Sequence, residues 1–382
     1  MRLNQFGATF CYTYTMSYIT AIGTANPKNK VSQTLIAEFM VQAMRLKETD
    51  ARKLKALFRM TSIETRYSVL EDYGKKVAFD FYSNNEGMEP FPSTKKRLAL
   101  FREHSLKISL EAINACLAKR PEVDKKSFTH LIVVSCTGMY APGLDIDIVK
   151  SLGLSSSIQR LCINFMGCYA AFNALKLADL FCKAEQGSRV LVVCTELCSI
   201  HFQKENTEDN LLANALFADG SAALLVESVP RKGLNLKPES FFCDLAAESE
   251  NEMAWAVGDF GFEMKLSSYV PEIIRTGIKK LTTSLLNQIS QKFSDVSYFA
   301  IHPGGKKILE VIEQELGLTK EQNHASYDVL KNYGNMSSPT VLFVLNEVCK
   351  NLNGADSGKQ ILSFAFGPGL TLESMLLKIE NH

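Results

Sequence analysis

The sequence lacks three features that would each point to a different class of protein. It has no apolar run long enough to span a membrane, and residues 1–15 lack the continuous apolar core of a signal peptide. Its net charge of +1 gives no electrostatic basis for binding nucleic acid, although a local basic patch for a phosphorylated ligand stays open. None of its ten cysteines falls in a C-x-x-C pair, so we predict neither a metal site nor a disulfide framework. Reduced thiols fit a cytoplasmic protein.

What remains is the composition of an ordinary globular protein, with 46% hydrophobic and 22% charged residues among 382. Met1–Thr15 mixes polar and aromatic residues, and we predict either a loose extension or residues upstream of a start at Met16. Proline and glycine interrupt the pattern at 230–238, where we place the boundary between two halves, residues 16–229 and 236–382.

Apolar runs and helical patterns alternate along the chain. Phe128–Cys136 and Val190–Cys194 are near-continuous apolar runs, as in strands that are covered on both faces. Val31–Phe58 and Val270–Phe293 carry apolar residues at helical spacing. The alternation predicts an α/β fold with a mixed or parallel sheet and helices on both faces. No repeat between the two halves is visible in the sequence.

The most informative stretch surrounds Cys168. A short apolar run at 160–165 leads to Gly167, and apolar residues recur at helical spacing from Ala171 to Phe181. The pattern predicts a strand, a tight turn that Gly167 permits, Cys168 and a helix. A cysteine in the first turn of a helix lies at the positive end of the helix dipole, which favours the nucleophilic thiolate. The alternative is a small buried cysteine that packs the strand–helix junction.

Two later stretches favour the nucleophile. His302 begins a His-Pro-Gly-Gly sequence directly after the apolar run Tyr298–Ile301. Asn335 lies shortly before another helical pattern, for which Ser338 is the predicted N-cap. A cysteine, a histidine and an asparagine, each at a loop next to a helix, suit a nucleophile with its base and its oxyanion donors. Taken singly, His302 could be a core histidine and Asn335 a turn residue.

Four motifs, in their order along the chain, resemble those of the type III polyketide synthases, the chalcone-synthase-like branch of the thiolase fold. The resemblance runs from about Ile19 to about Ile379. It implies a duplicated αβαβα layered fold with mixed sheets, with the cysteine in the first half and the histidine and asparagine in the second. The motifs are Gly167-Cys168, His302-Pro303-Gly304-Gly305, Tyr333-Gly334-Asn335-Met336-Ser337-Ser338 and Gly367-Pro368-Gly369-Leu370-Thr371.

The family's reaction assigns a role to each of the three polar residues. An acyl starter moves from coenzyme A (CoA) to Cys168, and decarboxylated malonyl-CoA then attacks that thioester. His302 would pair with the Cys168 thiolate, and His302 and Asn335 would together stabilise the negative thioester oxygen. No metal or organic cofactor is needed, because the CoA thioesters are themselves the substrates. Cyclisation would give a pyrone or a resorcinol- or phloroglucinol-type product.

The resemblance also implies which residues line the substrate cavity. Phe217 matches one aromatic gatekeeper, and Met264 replaces the other with a flexible thioether; core packing is the alternative for both. Trp255 stands where chalcone synthase has glycine and should narrow one side of the cavity. Ala141 and Cys198 are small, as in bacterial relatives that house a long acyl chain, so we expect a long acyl starter. The predicted lining is Phe217, Met264, Thr137, Ala141, Cys198, Trp255 and the turn Gly367, Pro368 and Gly369, for which a plain hairpin is the alternative.

The resemblance further implies contacts with CoA and with a second subunit. Arg59 matches a basic position that contacts the CoA phosphates, and Lys55 lies nearby; solvated charges on a helix are the alternative. Family members are homodimers in which the loop after Cys136 reaches the partner's cavity. Ala141 takes the position of the crossing side chain, so that contact should be reduced here.

Two other functions stay open. A ketoacyl synthase of the fatty acid initiation type shares the fold and the order of the three residues, but would extend a substrate on an acyl carrier protein once. The His-Pro-Gly-Gly and Gly-Pro-Gly motifs favour the polyketide branch. A catalytically inactive partner in a heterodimer would normally lose its nucleophile, whereas Cys168, His302 and Asn335 are all present.

Overall fold

The computed structural model describes residues 15–246, 249 and 252–382. The predicted loose extension, Met1–Thr15, therefore lies outside the described residues except for Thr15. The Thr15 hydroxyl donates a hydrogen bond to the Lys183 carbonyl at 2.9 Å, which attaches this residue to the body of the protein.

Nine of the thirteen strands in the described residues form one sheet, and the other four form two separate two-stranded sheets. The strands are β1 (Tyr18–Ala25), β2 (Asn29–Ser32), β3 (Thr65–Ser68), β4 (His130–Ser135), β5 (Gln159–Asn164), β6 (Arg189–Leu197), β7 (Asp219–Glu227), β8 (Leu234–Leu245), β9 (Met253–Gly258), β10 (Gly261–Leu266), β11 (Val296–Ile301), β12 (Gln360–Gly367) and β13 (Thr371–Asn381).

The large sheet consists of two parts with the same arrangement. Its order is β11-β12-β13-β8-β1-β7-β6-β4-β5. In the first part, β4 runs parallel to β6, while β6 and β7, and β7 and β1, are antiparallel. In the second part, β11, β12, β13 and β8 repeat these directions in turn. One residue pair, Ile19 with Leu236, joins the two parts. The duplication that no sequence repeat revealed is therefore visible in the strand order.

Ten α-helices in the described residues cover these strands. They are α1 (Gln33–Ala43), α2 (Glu48–Met60), α3 (Thr94–Leu117), α4 (Leu144–Leu152), α5 (Ala170–Ala184), α6 (Glu208–Leu216), α7 (Val270–Asn287), α8 (Lys306–Leu316), α9 (His324–Tyr333) and α10 (Thr340–Lys350).

The helices form layers because successive side chains of a strand point to opposite faces of the sheet. In β4, Leu131 and Val133 pack in the core of α3 and α4, whereas Ile132 and Val134 pack in the core of α5. Side chains of α10 share that second core, to which strands of both sheet parts contribute. Helices α7 and α8 pack on the other face of the second part. The predicted thiolase-like order, helix, sheet, helix, sheet, helix, is confirmed.

Two local predictions were wrong. Val31–Phe58 is not one helix: β2 opens it, and α1 and α2 are separated by Arg45, whose φ of 52° interrupts a right-handed helix. Ser338 does not cap α10, because Pro339 holds the cap position and the Ser338 hydroxyl instead donates to the buried carboxylate of Glu196.

The predicted boundary between the halves, at 230–235, falls at the connection from β7 to β8.

Candidate active site

A cavity of about 540 Å³ contains the three predicted catalytic residues. Cys168 lies in the turn between β5 and α5, His302 directly follows β11, and Asn335 lies between α9 and α10. All three side chains line this cavity and are buried, with exposed fractions of 7%, 1% and 2%. The fold thus brings together one residue of the first half and two of the second.

The turn that carries Cys168 is packed too tightly for a larger residue at position 167. Gly167 has a φ of 74°, and a Cβ atom there would lie 2.2 Å from Cδ of Pro368. Its N–H donates to Sγ of Cys136 at 3.0 Å, which fixes the turn from the other side. Glycine is therefore required both for the conformation and for the close approach of the Pro368 loop.

Burial opposes ionisation of the Cys168 thiol. Burial raises its pKa to about 12, although the hydrogen bonds to Ser337 and Asn335 act in the opposite direction. Its Sγ lies 3.9 Å from Oδ1 of Asn335. The thiolate that the sequence predicted stays a prediction, because burial opposes it while both hydrogen bonds favour it.

His302 presents a neutral imidazole to the cavity. Burial lowers its pKa to about 3. Among the described residues, neither Nδ1 nor Nε2 has a hydrogen-bond partner, so the predicted ion pair with Cys168 is absent from the described site. A fully buried imidazole with two free nitrogens is unusual, because buried polar groups are normally paired. It can therefore accept a proton from, and donate one to, a ligand in the cavity.

The side-chain amide of Asn335 is oriented by its neighbours. Its Oδ1 accepts a hydrogen bond from the backbone N–H of Ser337 at 2.8 Å, so Nδ2 is the end that can donate. Nδ2 makes one long bond, 3.4 Å, to the Gly304 carbonyl. The backbone of Asn335 is held between Leu216 and Ala218 by hydrogen bonds of 2.9 and 2.8 Å. One amide N–H donor thus remains for an oxygen atom in the cavity.

A buried acid next to the site, Glu196 at the end of β6, was missed by the sequence analysis. Its carboxylate accepts hydrogen bonds from the hydroxyls of Thr137 and Ser338, each at 2.6 Å, and from the backbone N–H of Cys136 at 2.9 Å. Burial raises its pKa. Glu196 ties the end of β4 to the loop before α10. A charged residue at the end of the apolar run Val190–Cys194 was the available signal.

Six of the nine predicted substrate-binding residues line the cavity. Ala141, Gly367 and Gly369 do not, although Gly367 supports the site from behind, since a Cβ there would lie 2.6 Å from the ring of Tyr169. The hydroxyl of Thr137 donates its hydrogen bond to the carboxylate of Glu196. The six that line the cavity are Phe217, Met264, Thr137, Cys198, Trp255 and Pro368.

The basic residues on the cavity wall are not the two that the sequence predicted. Arg59 and Lys55 lie on α2 outside the wall, while Lys306 and Lys307, the first residues of α8, line it. The side chains of these lysines are 39% and 69% exposed, and each lies 3.7 Å from a carboxylate oxygen of Glu310. Such long, exposed ion pairs are weak, so the ammonium groups can bind an anion. The two lysines directly after the Gly-Gly pair were visible in the sequence and could have predicted this basic site.

No group of three or more His, Cys, Asp or Glu side chains among the described residues could hold a metal ion. None of the helices described is both long enough and apolar enough to cross a membrane.

The fold and the sequence together identify the family. The duplicated five-layered architecture places the chain among the thiolase-like proteins. Residues 11–230 match the N-terminal domain of the chalcone and stilbene synthases, and residues 240–380 match the C-terminal domain. The chain belongs to the type III polyketide synthases, which are condensing acyltransferases.

Individual relatives agree with this assignment. The chain is 33% identical over 373 residues to "alpha-pyrone synthesis polyketide synthase-like Pks18" of Mycobacterium tuberculosis. The aligned region covers 96% of this chain and 92% of that protein. It is 30% identical to a putative chalcone synthase of Bacillus subtilis, over 96% and 100% of the two chains. Among solved structures, PKS-I of the brown alga Ectocarpus siliculosus superimposes with a TM-score of 0.88 at 29% identity, covering 95% of this chain and 98% of that one.

Proposed function

We propose that this type III polyketide synthase loads an acyl starter from CoA onto Cys168, extends it with malonyl-CoA and cyclises the product. The observation that carries the proposal is the position of Cys168, His302 and Asn335 in one buried cavity, with both nitrogens of His302 unpartnered among the described residues. A nucleophile, a base and an amide donor are then available to a single bound thioester.

Loading is a thioester exchange. As Sγ of Cys168 attacks the starter carbonyl, its proton moves to the neutral imidazole of His302, so the charged forms exist only while substrate is bound. The carbon–sulfur bond to CoA breaks, and the departing CoA sulfur takes the proton back. The raised pKa of Cys168 and the lowered pKa of His302 keep both groups neutral until then.

Extension begins with loss of carbon dioxide from malonyl-CoA. The electrons of the broken carbon–carbon bond move into an enolate, whose oxygen accepts hydrogen bonds from His302 and from Nδ2 of Asn335. The enolate carbon then attacks the acyl group on Cys168, the carbon–sulfur bond to the enzyme breaks, and the departing Cys168 thiolate takes up a proton from water. The product is a β-keto thioester of CoA, which can be loaded again for a further round.

The wall of the cavity favours a long acyl starter and, by analogy with the alpha-pyrone synthesis for which Pks18 is named, a pyrone product. Beyond the polar inner end, the described lining is predominantly apolar and spans α2, α6, β9, β10 and α7. Burying a methylene group contributes about 0.8 kcal/mol, so such a wall discriminates by chain length. The residues include Leu57, Met60, Leu211, Leu212, Leu216, Met253, Leu266 and Val270.

The CoA phosphates are proposed to lie at the mouth of the cavity, beside Lys306 and Lys307. The two residues that the sequence predicted, Arg59 and Lys55, lie on α2, the helix whose Leu57 and Met60 line the cavity. They remain candidates for binding the outermost phosphate of CoA. Family membership also supports a homodimer in the cytoplasm, and both remain predictions.

Product mass spectrometry tests the proposal. Purified protein is incubated with malonyl-CoA and each of a series of starters from acetyl-CoA to palmitoyl-CoA. We expect pyrone masses that track the long starters, with no product from Cys168→Ala. Products from short starters alone would contradict the long-chain assignment. Turnover only with an acyl carrier protein substrate would instead indicate a ketoacyl synthase, and an unchanged Cys168→Ala variant would indicate a non-catalytic role.

A further inference from the structure

One wall of the cavity is a hairpin, formed by β9 and β10, that lies outside the nine-stranded sheet. Two cross-strand pairs, Met264 with Trp255 and Leu266 with Met253, line the cavity from this hairpin. A two-stranded ribbon is marginally stable alone, so its position depends on what attaches it to the rest of the protein. The attachments therefore set the shape of the wall.

His201, which has no role in the reaction steps above, makes one of these attachments. It is buried, with an exposed fraction of 5%, in the turn that follows β6. The N–H of Phe262 in β10 donates to its Nδ1 at 2.9 Å, and its Nε2 donates to the Thr137 carbonyl at 2.7 Å. The ring also stacks on that of Phe262, with centroids 4.3 Å apart. One imidazole thus connects the hairpin to the segment after β4.

Both nitrogens are used only if the imidazole is neutral, because Nδ1 must accept and Nε2 must donate. Burial lowers the pKa of His201 to about 3, so this tautomer persists across the physiological range. The arrangement is therefore a fixed structural connection and not a titrating one.

Trp255 makes a second connection between the hairpin and the segment after β4, to the residue directly before Thr137. Its Nε1 donates to the Cys136 carbonyl at 2.7 Å, next to the Thr137 carbonyl that His201 binds. The rings of Trp255 and His201 meet edge to face at 5.8 Å. Two consecutive carbonyls therefore hold the two aromatic N–H groups that fix this side of the hairpin.

A second, smaller cavity of about 30 Å³ shows what this fixation prevents. It shares Cys198, Phe217, Trp255 and Met264 with the large cavity, and His201 also lines it. The wall that carries Trp255 and Met264 thus borders both spaces. If the hairpin loosens, the Trp255 ring can shift towards the small space, and the large cavity then lengthens by that shift.

We propose that His201 is a positioning residue that holds the Trp255 side of the cavity wall and thereby limits the length of the acyl starter. The inference rests on the proposed function for its acyl substrate, but not for the position of Trp255. Replacing His201 by alanine should therefore do more than lower activity: it should change the preference between starters.

The kinetic test compares palmitoyl-CoA with octanoyl-CoA at saturating malonyl-CoA. We expect His201→Ala to raise the palmitoyl-to-octanoyl ratio of kcat/KM by about tenfold, the scale of discrimination by a few methylene groups. His201→Gln, which keeps one donor and one acceptor, should restore the ratio. Trp255→Phe, which keeps a ring but loses the N–H, should shift it less than Trp255→Ala does. An equal loss with both starters, or no rescue by glutamine, would overturn the proposal.

A second measurement does not depend on activity. Trp255 is the single tryptophan of the chain, so its fluorescence reports on this wall alone. We expect His201→Ala to increase the quenching of Trp255 by acrylamide, while His201→Gln and the exposed-site control His324→Ala leave it unchanged. Unchanged quenching in a folded His201→Ala protein would refute the positioning role. If the wild-type protein makes no product from either ester, the proposed function fails, while the fluorescence result still decides the role of His201.

Discussion

The two ends of the active-site cavity differ in how their polar groups are held. At the inner end, Cys168, His302 and Asn335 are buried, and both nitrogens of His302 lack partners among the described residues. At the mouth, Lys306 and Lys307 are partly exposed and share one carboxylate at 3.7 Å. The inner groups interact where water does not screen them, whereas the outer groups interact through solvent.

This difference teaches where single substitutions should matter. A buried donor aimed at a developing charge acts at full strength on the transition state, because it needs no reorganisation when the charge appears. An exposed ammonium group contributes to binding through a screened interaction of about 0.2–1 kcal/mol. The chemistry should therefore depend steeply on the inner end and only weakly on any one residue of the mouth.

The largest effect is expected at Asn335. Asn335→Ala removes the amide donor from the enolate oxygen and should lower the rate of malonyl-CoA decarboxylation by about a hundredfold or more. Release of carbon dioxide from labelled malonyl-CoA measures this step directly. Asn332→Ala, three residues earlier on α9 and outside the cavity wall, is the matched control and should behave as the wild type. A loss below about tenfold would mean that the two ends of the cavity do not differ as described.

An intermediate effect concerns the protonation state of Cys168. Because burial raises the pKa of this thiol to about 12, the thiolate fraction should increase with pH well beyond the usual range for cysteine. We expect the rate of alkylation by iodoacetamide in the substrate-free protein to rise about tenfold per pH unit between pH 7 and pH 10. Peptide mass spectrometry identifies the alkylated cysteine, and the Cys168→Ala variant is the control that should lack this modification.

A plateau in the alkylation rate near pH 7 would give the opposite answer. It would show that Cys168 and His302 exist as a thiolate–imidazolium pair in solution, as the sequence alone had suggested. His302→Gln would then remove the plateau, because glutamine cannot hold the transferred proton. The measurement thus decides whether proton transfer precedes substrate binding or accompanies it.

The smallest effect is expected at the mouth. Lys306→Met and Lys307→Met should each raise KM for malonyl-CoA by about twofold to fivefold, with kcat little changed, because an exposed charge pair contributes about 1 kcal/mol or less. The effect should shrink at high salt. With malonyl-pantetheine, which lacks the nucleotide phosphates, the same variants should match the wild type.

Lys55→Met and Arg59→Met serve as the comparison for the lysines of α8. If these α2 variants raise KM for malonyl-CoA and the α8 variants do not, the phosphates lie beside α2, as the sequence predicted. If all four variants raise it similarly, both helices hold the nucleotide. An unchanged KM in the α8 variants would remove Lys306 and Lys307 from the proposed binding site in either case.

The sequence predicted those parts of the site that depend on local conformation. Gly167 and Cys168 lie in a strand–turn–helix unit whose periodicity and glycine are both visible in the sequence. The apolar runs Phe128–Cys136 and Val190–Cys194, predicted as strands, correspond to β4 and β6. In each case the signal and the structure it determines lie within about twenty residues, so no tertiary information is needed.

The parts that escaped prediction depend on contacts distant in sequence. Glu196 and His201 act through partners about sixty residues away, Thr137 and Phe262, and their own neighbours do not distinguish them from core residues. The break at Arg45 has no glycine to mark it. Which basic residues face the cavity depends on how α2 and α8 pack, which periodicity cannot give. The protonation state of Cys168 depends on how deeply the fold buries it, so the sequence could not predict that state either.

The split of the three polar residues between the two halves has a consequence for the protein as a whole. Cys168 belongs to one half, and His302 and Asn335 belong to the other, while a single residue pair joins the two parts of the large sheet. A misplacement of about 1 Å can cost a hundredfold in rate, so two correctly folded halves that docked slightly askew would be inactive. The apolar interior between the halves is thus as much a part of the catalyst as its nucleophile. Accurate docking of the two halves is therefore a requirement for catalysis in addition to the correct folding of each half.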